Sequence, residues 1–130
     1  MKILTNRAYK FRIYPTQFQI AYFMMCFGHT RFLYNKLLQE KTDEYKNNGI
    51  SIKKGESQAR ITELKHTEEF SWLKKVNSQT LQGANHELFI AFDKFFDKKL
   101  QNGYPRFKKR NVGRKSFSVP QFFSVDPKNN

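Results

Sequence analysis

Residues 104–115 read Tyr-Pro-Arg-Phe-Lys-Lys-Arg-Asn-Val-Gly-Arg-Lys, the densest basic stretch of the chain, with an aromatic ring on each side of Arg106. Arg106, Lys108, Lys109, Arg110, Arg114 and Lys115 carry the charge that neutralises phosphates and releases their counterions, while Tyr104 and Phe107 carry faces on which unpaired bases stack. A solvated charged loop has the same composition, so the stretch permits nucleic-acid contact without requiring it. A second set lies near the start. If residues 7–14 form a strand, Lys10 and Arg12 fall on one side about 7 Å apart, near the spacing of neighbouring phosphates, with Arg7 just ahead of them. Charges that guard an exposed strand edge would look alike. A third set is Asn77, Ser78, Gln79 and Gln82 at the start of a helical pattern, where free amides and short polar side chains meet phosphates and base edges and Gln pairs with adenine. Simple capping by Asn77 or Ser78 accounts for two of those four without a ligand. Finally, Arg31, Tyr34 and Asn35 follow Gly28, and a helix break before a basic segment suggests a helix-turn-helix. Arg31 and Asn35, spaced four apart, fit an anchoring role slightly better.

Other chemistries find little support. His29, His66 and His86 have no metal-ligand spacing, and a lone Cys26 offers neither a disulfide nor a zinc clamp, so no metal and no cofactor are expected. Cys26 is expected to be a small buried apolar residue. No serine has an identifiable base. The longest apolar run, Ile20 to Phe27, falls far short of the roughly 20 residues that span a bilayer. With no signal-like N-terminus either, the expectation is a cytoplasmic protein with no membrane partner.

The elements that must position these groups follow from charge and periodicity. Of 130 residues, 24 are Lys or Arg against 11 Asp or Glu, a net charge of +13 that points to a polyanionic partner. The excess sits at the ends: residues 1–15 hold four bases and no acid, and residues 101–130 hold seven bases and one acid. The two ends are therefore expected to form one basic surface, split in sequence by an inserted middle. Tyr9, Phe11 and Ile13 alternate with Ala8, Lys10 and Arg12 up to Pro15, which predicts a first strand. Phe117 and Val119, then Phe122 to Val125, predict a return strand bent at Pro120. Between them the period is helical. Thr16 and Gln19 form a capping box that opens a helix through Phe18, Ala21, Tyr22 and Met25, kinked or broken at Gly28 and resuming through Phe32, Leu33, Leu37 and Leu38 to Tyr45. A short helix is expected over 57–67 with Ile61 and Leu64 inward. A longer one is expected after Asn77-Ser78 with Leu81, Ala84, Leu88, Phe92 and Phe95 in one stripe, ending at Asn102-Gly103. The expectation is an α+β chain: strand, an insertion of three to four helices, return strand.

Ala8-Tyr9-Lys10-Phe11-Arg12-Ile13-Tyr14-Pro15-Thr16, Phe27-Gly28-x-x-Arg31-Phe32-x-Tyr34-Asn35, Trp72-Leu73-Lys74-x-Val76, Leu81-Gln82, Phe95-Phe96, Tyr104-Pro105-Arg106-Phe107-Lys108-Lys109 and Ser116-Phe117, in that order and spacing, resemble the N-terminal portion of the TnpB (OrfB) proteins of bacterial insertion sequences. The resemblance spans about residues 7–121. It implies an RNA-guided DNA nuclease whose N-terminal part is a helical recognition lobe inserted into a small β-barrel (wedge) domain, followed by a RuvC-like nuclease domain interrupted by a zinc ribbon. It further implies a division at 1–15, 16–103 and 104–130: first wedge strand, helical insertion, and basic loop with return strands of an incomplete barrel. Such a part would grip a guide RNA, cradle the guide–target heteroduplex and read a short DNA motif beside it, with Asn77 to Gln82 near the motif reader.

The chain also departs from that family. The nuclease needs three carboxylates for paired metal ions and the ribbon needs four Cys, whereas here Asp126 is the sole acid after Asp97 and Cys26 is the sole Cys. The resemblance thus implies a recognition half without catalysis of its own, a truncated frame or an excised piece. Its partners would be guide RNA and DNA, with a separate RuvC and zinc-ribbon half as a further partner. An interaction module for that half, or a decayed transposon fragment, are the rival readings.

Overall fold

Thr16 opens the longest element with both halves of the expected capping box. Its hydroxyl accepts the Gln19 N–H at 3.2 Å, and its own N–H donates to the Gln19 side-chain oxygen at 2.9 Å. Helix α1 then runs over Gln17–Asn48 and stops at Gly49, whose φ of 67° lets its N–H reach the Tyr45 carbonyl at 2.9 Å. The computed structural model describes residues 6–110 and 116–117.

Gly28 does not break the element, one of the two outcomes expected of it: α1 is helical throughout. A glycine there costs about 1 kcal/mol relative to alanine. One turn later α1 buries Leu33, Leu37 and Leu38 almost completely, and each such side chain contributes about 1.5–3 kcal/mol on leaving water. Tertiary burial outweighs local propensity.

Helix α2 (Lys54–His66) turns Ile61 and Leu64 inward, a 3₁₀ turn follows over Ser71–Lys75, and helix α3 (Ser78–Phe96) closes the core. α3 packs on α1 along its length, while α2 rests on α3 and the 3₁₀ turn. Leu81, Ala84, Leu88 and Phe92 from the expected stripe join Leu33, Leu37, Leu38, Ile61, Leu64 and Leu73 in one cluster, with Cys26 fully buried at its edge. Phe32, Phe70 and Trp72 extend it as an aromatic group with centroid separations of 4.9–6.4 Å. Lys41 is buried too: its ammonium donates to the Ile52 carbonyl at 2.6 Å and to Ser51 Oγ at 3.1 Å, and lies over the Phe92 ring, so it staples the α1–α2 loop to α3. The end of α3 comes earlier than Asn102-Gly103, because the Asp97 carboxylate captures the Lys99 N–H at 2.9 Å and competes with the helical bond.

The expected α+β class does not hold. Among the described residues there is no strand, no sheet and no barrel; the fold is three helices and a 3₁₀ turn. Residues 6–15 are non-helical chain without a ladder partner, and Tyr9, Phe11 and Ile13, meant for the buried face, are 71%, 81% and 65% exposed. A period of two satisfies the side-chain requirement of a strand, but the ladder needs a second chain segment alongside. Of the expected return strand only Ser116 and Phe117 are described, and Val119 and Phe122 to Val125 lie outside the described residues. Phe117 packs its ring against Phe23 and Phe27 of α1, at 5.8 and 5.5 Å between centroids.

Candidate nucleic-acid interface

The N-terminal half of α3 forms one wall of a furrow. Asn77 caps the helix, its side-chain oxygen accepting the Gln79 N–H at 2.8 Å. The capping role is therefore realised for Asn77, and Ser78, Gln79 and Gln82 follow it, each half-buried. A hollow of about 420 Å³ is lined by Gln79 and Gln82 from α3, Lys54 and Gln58 from α2, and Thr30 from α1. Gln58 and Gln82 also line a neighbouring hollow of about 460 Å³ that reaches Ser78 and Lys65. Ser78 and Lys65 in turn line a third of about 580 Å³, with Lys74, Lys75, Asn77 and Tyr22. Shared walls make the three one continuous path: glutamine amides from two helices in the middle, lysines at one end. A primary amide offers paired donor and acceptor, the arrangement that matches a base edge in a duplex major groove.

The four residues expected here all line the path, but Gln58, Lys54, Lys65, Lys74 and Lys75 were not anticipated. The helical period of 57–67 was visible, whereas the contact of α2 with α3 was not. Lys74-Lys75 directly ahead of Asn77-Ser78 was a usable signal. Lys54 is partly engaged, its ammonium 2.8 Å from His86 Nδ1.

The second basic stretch is pinned to α1. Asn35 grips the Lys108 main chain at two points: its side-chain oxygen accepts the Lys108 N–H at 2.7 Å and its amide NH₂ donates to the Lys108 carbonyl at 2.9 Å. Tyr104 pairs its hydroxyl with Thr42 at 2.8 Å and sets its ring edge-on to Phe92 and Phe95 at 5.4 and 5.2 Å. The anchoring role weighed for Asn35 is thus what the structure displays. Lys108 is internally satisfied, with its ammonium 2.8 Å from a Glu87 carboxylate oxygen and 4.5 Å above the Tyr34 ring. Tyr104 and Lys108 are accordingly less available to a ligand than sequence suggested, while Arg106, Phe107, Lys109 and Arg110 are exposed. Arg114 and Lys115 lie outside the described residues.

Arg7, Lys10 and Arg12 are exposed on the extended lead-in, with the Arg12 guanidinium 5.5 Å from the Tyr14 ring centroid. Arg31 is half-buried and lies back over Gly28, its guanidinium nitrogen 3.9 Å from where a Cβ would stand. Among the described residues, Tyr104 meets α1 at Thr42, Lys108 at Asn35 and Phe117 at Phe23 and Phe27, so successive contacts fall progressively nearer the end at which residues 6–15 enter.

Titration is shifted in the core beneath the lysine end. Burial first, and the field of Lys75 second, hold His29 below the usual imidazole range, and its ring lies 4.7 Å from Trp72. Burial likewise raises the Cys26 thiol. Among the described residues no group of three or more His, Cys, Asp or Glu converges, and no helix is long and apolar enough to cross a membrane.

Residues 1–49 match the family model for the helix-turn-helix domain of OrfB proteins of the IS605 type. A "Putative RNA-guided DNA endonuclease" of Streptomyces pristinaespiralis is 40% identical over 111 residues, which is 85% of this chain and 27% of that protein. The similarly described InsQ of Escherichia coli K12 is 31% identical over 95% of this chain and 30% of its own length. A shorter relative, the "Virulence protein VsdF" of Salmonella dublin, is 31% identical over 81% of this chain and 94% of its own length. The chain belongs to the TnpB (OrfB) family. It corresponds to the N-terminal portion of TnpB proteins and spans less than a third of the two endonuclease relatives. Within residues 1–49, as far as they are described, the structure has one uninterrupted helix. The turn between helices falls at residues 49–53, between α1 and α2, and not at Gly28.

Proposed function

We propose that this chain is the nucleic-acid-binding module of a TnpB-like RNA-guided DNA endonuclease, acting in the cytoplasm on DNA and guide RNA and leaving strand cleavage to a nuclease part. The observation that carries this reading is the continuous furrow in which Gln58, Gln79 and Gln82 converge. Their amides would read base edges of a short duplex, with Asn77 and Ser78 beside them at the helix start. The unit over 16–103 would be flanked by basic arms at 1–15 and 104–130. Arg7, Lys10, Arg12, Arg31, Arg106, Lys108, Lys109, Arg110, Arg114 and Lys115 would hold the sugar-phosphate backbones of guide RNA and target DNA, Lys108 least of all because Glu87 already neutralises it. The course of the return segment along α1, toward the end where the first arm enters, supports a single track. The names of the two endonuclease relatives support the choice of DNA and RNA as ligands.

Selection from a pool of randomised duplexes tests this. The native chain is expected to enrich a short motif, and Gln79→Ala with Gln82→Ala to flatten the enrichment, since each good bidentate contact discriminates by about 1–3 kcal/mol. Equal retention of all sequences by the native chain would overturn the base-reading role.

A second reading has its own observation. Tyr9, Phe11, Ile13, Tyr14 and Phe18 form a run of exposed apolar side chains on the lead-in and the first turn of α1. Exposed apolar surface of that extent marks an interaction site, and a separately encoded nuclease half would cover it. Association with such a half that persists in high salt would favour this role, whereas nucleic-acid binding fades with salt.

A further inference from the structure

Lys65 closes α2, Lys74 and Lys75 form the end of the 3₁₀ turn, and all three line the hollow at the far end of the furrow together with Tyr22, Val76, Asn77 and Ser78. Among the described residues none of the three has an ion-pair partner: Glu40 and Glu63 are taken by Arg60, and Glu87 by Lys108. Among the described residues no acid lines the hollow. Tyr22 adds no negative charge, because burial first and the neighbouring Cys26 next keep its hydroxyl protonated above the usual phenol range. A lysine in the last turn of a helix is explained by the helix dipole, which accounts for Lys65. The 3₁₀ turn that ends on Lys74 and Lys75 is only five residues long, too short for a comparable dipole, and these two lysines add like charge to the same hollow with no ion-pair partner among the described residues.

We infer that Lys65, Lys74 and Lys75 form a phosphate clamp, which grips the sugar-phosphate backbone of the duplex whose bases face Gln58 and Gln82. This rests on the reading of the furrow as a duplex-binding site and adds what fixes the duplex in it. The shared walls supply the geometry: Gln58 and Gln82 lead to Lys65 and Ser78, and these lead to Lys74 and Lys75. A strand lying along the path would leave its bases at the amides and its phosphates at the ammonium groups. Contacts to phosphate set register and affinity, and contacts to bases set sequence. The clamp is therefore sequence-blind, and its loss should weaken binding to all duplexes alike.

The test compares two triple variants of the full chain with the same change of charge. K65Q/K74Q/K75Q removes the clamp, and K94Q/K98Q/K99Q removes three lysines at the other end of α3. Affinity for a short duplex carrying the enriched motif is followed by fluorescence anisotropy from low to moderate salt. The clamp variant is expected to bind roughly tenfold or more weakly at low salt and to lose about 2–3 from the log–log salt slope, at about 0.9 per phosphate contact. Its motif preference should persist, and the distal triple should keep the native slope. Equal slopes for the native chain and the clamp variant, or equal losses in both triples, would overturn the clamp while leaving the furrow reading intact. Failure of the native chain to bind any duplex would overturn both. Circular dichroism checks the helices, and K74Q/K75Q, confined to the 3₁₀ turn, carries the comparison at about two-thirds of the slope change should the triple unfold.

Discussion

The two basic arms have similar composition and opposite circumstances. Residues 104–110 are tied to α1 by Asn35 and Thr42 and to α3 by the rings of Phe92 and Phe95. Among the described residues, the ring contacts of residues 6–15 are local, Tyr9 with Phe11 and Arg12 with Tyr14. Positive charge in a sequence therefore says little about its availability. One arm has given an ammonium to Glu87 and an aromatic to the core, while the other leaves Arg7, Lys10 and Arg12 exposed.

The largest test of this contrast strikes the scaffold that holds the pinned arm. Leu37→Ala should destabilise the chain by about 2–5 kcal/mol in urea unfolding, because it empties a site between α1 and α3. Phe18→Ala, on a residue 87% exposed in the first turn of α1, should stay within about 0.5 kcal/mol. Comparable losses in both would mean that the start of α1 is packed after all. Next in size, Asn35→Ala removes both bonds to Lys108, worth about 1 kcal/mol each. Hydrogen exchange at the Lys108 amide should accelerate while exchange over residues 6–14 stays as it was; unaltered protection would show that the pin is elsewhere.

Charge availability gives a finer comparison. Lys109→Gln should lower the salt slope of nucleic-acid binding by about 0.9 if it meets one duplex phosphate, whereas Lys108→Gln should lower it less. The reverse order would show that Glu87 releases Lys108 on binding. The smallest effect concerns pH. His29 titrates lower in the folded chain than in the unfolded one, so unfolding takes up a proton. Stability is then fully present above the unfolded value near 6.5 and is lost as pH falls through the folded value. His29→Gln should flatten that acid limb of a thermal-melt series, and an identical pH profile would rule the imidazole out as its source.

What could be read from sequence was local. The Thr16–Gln19 box is complete within four residues, and the stripe from Leu81 to Phe92 needs only helical geometry, so both were visible. Gly28 misled because a single-residue propensity competes with three buried leucines further along the same helix. The strand pattern at Tyr9–Ile13 misled because alternation is a property of one segment and pairing a property of two. Asp97 ended α3 through a side-chain bond that the Asn102-Gly103 signal concealed. In the furrow, Asn77 to Gln82 belong to one element and could be named, whereas Gln58 and Lys65 arrive from α2 by tertiary contact. The order of motifs from Ala8 to Phe117 carried the family where no single element could.

Asn35 holds its partner solely through the peptide group, which nearly every residue type supplies. Substitutions at 108 other than proline, and at the flanking positions, can therefore redraw the charge pattern of this arm without sliding it along the helix. The chain can drift to new ligands here while its register is inherited unchanged.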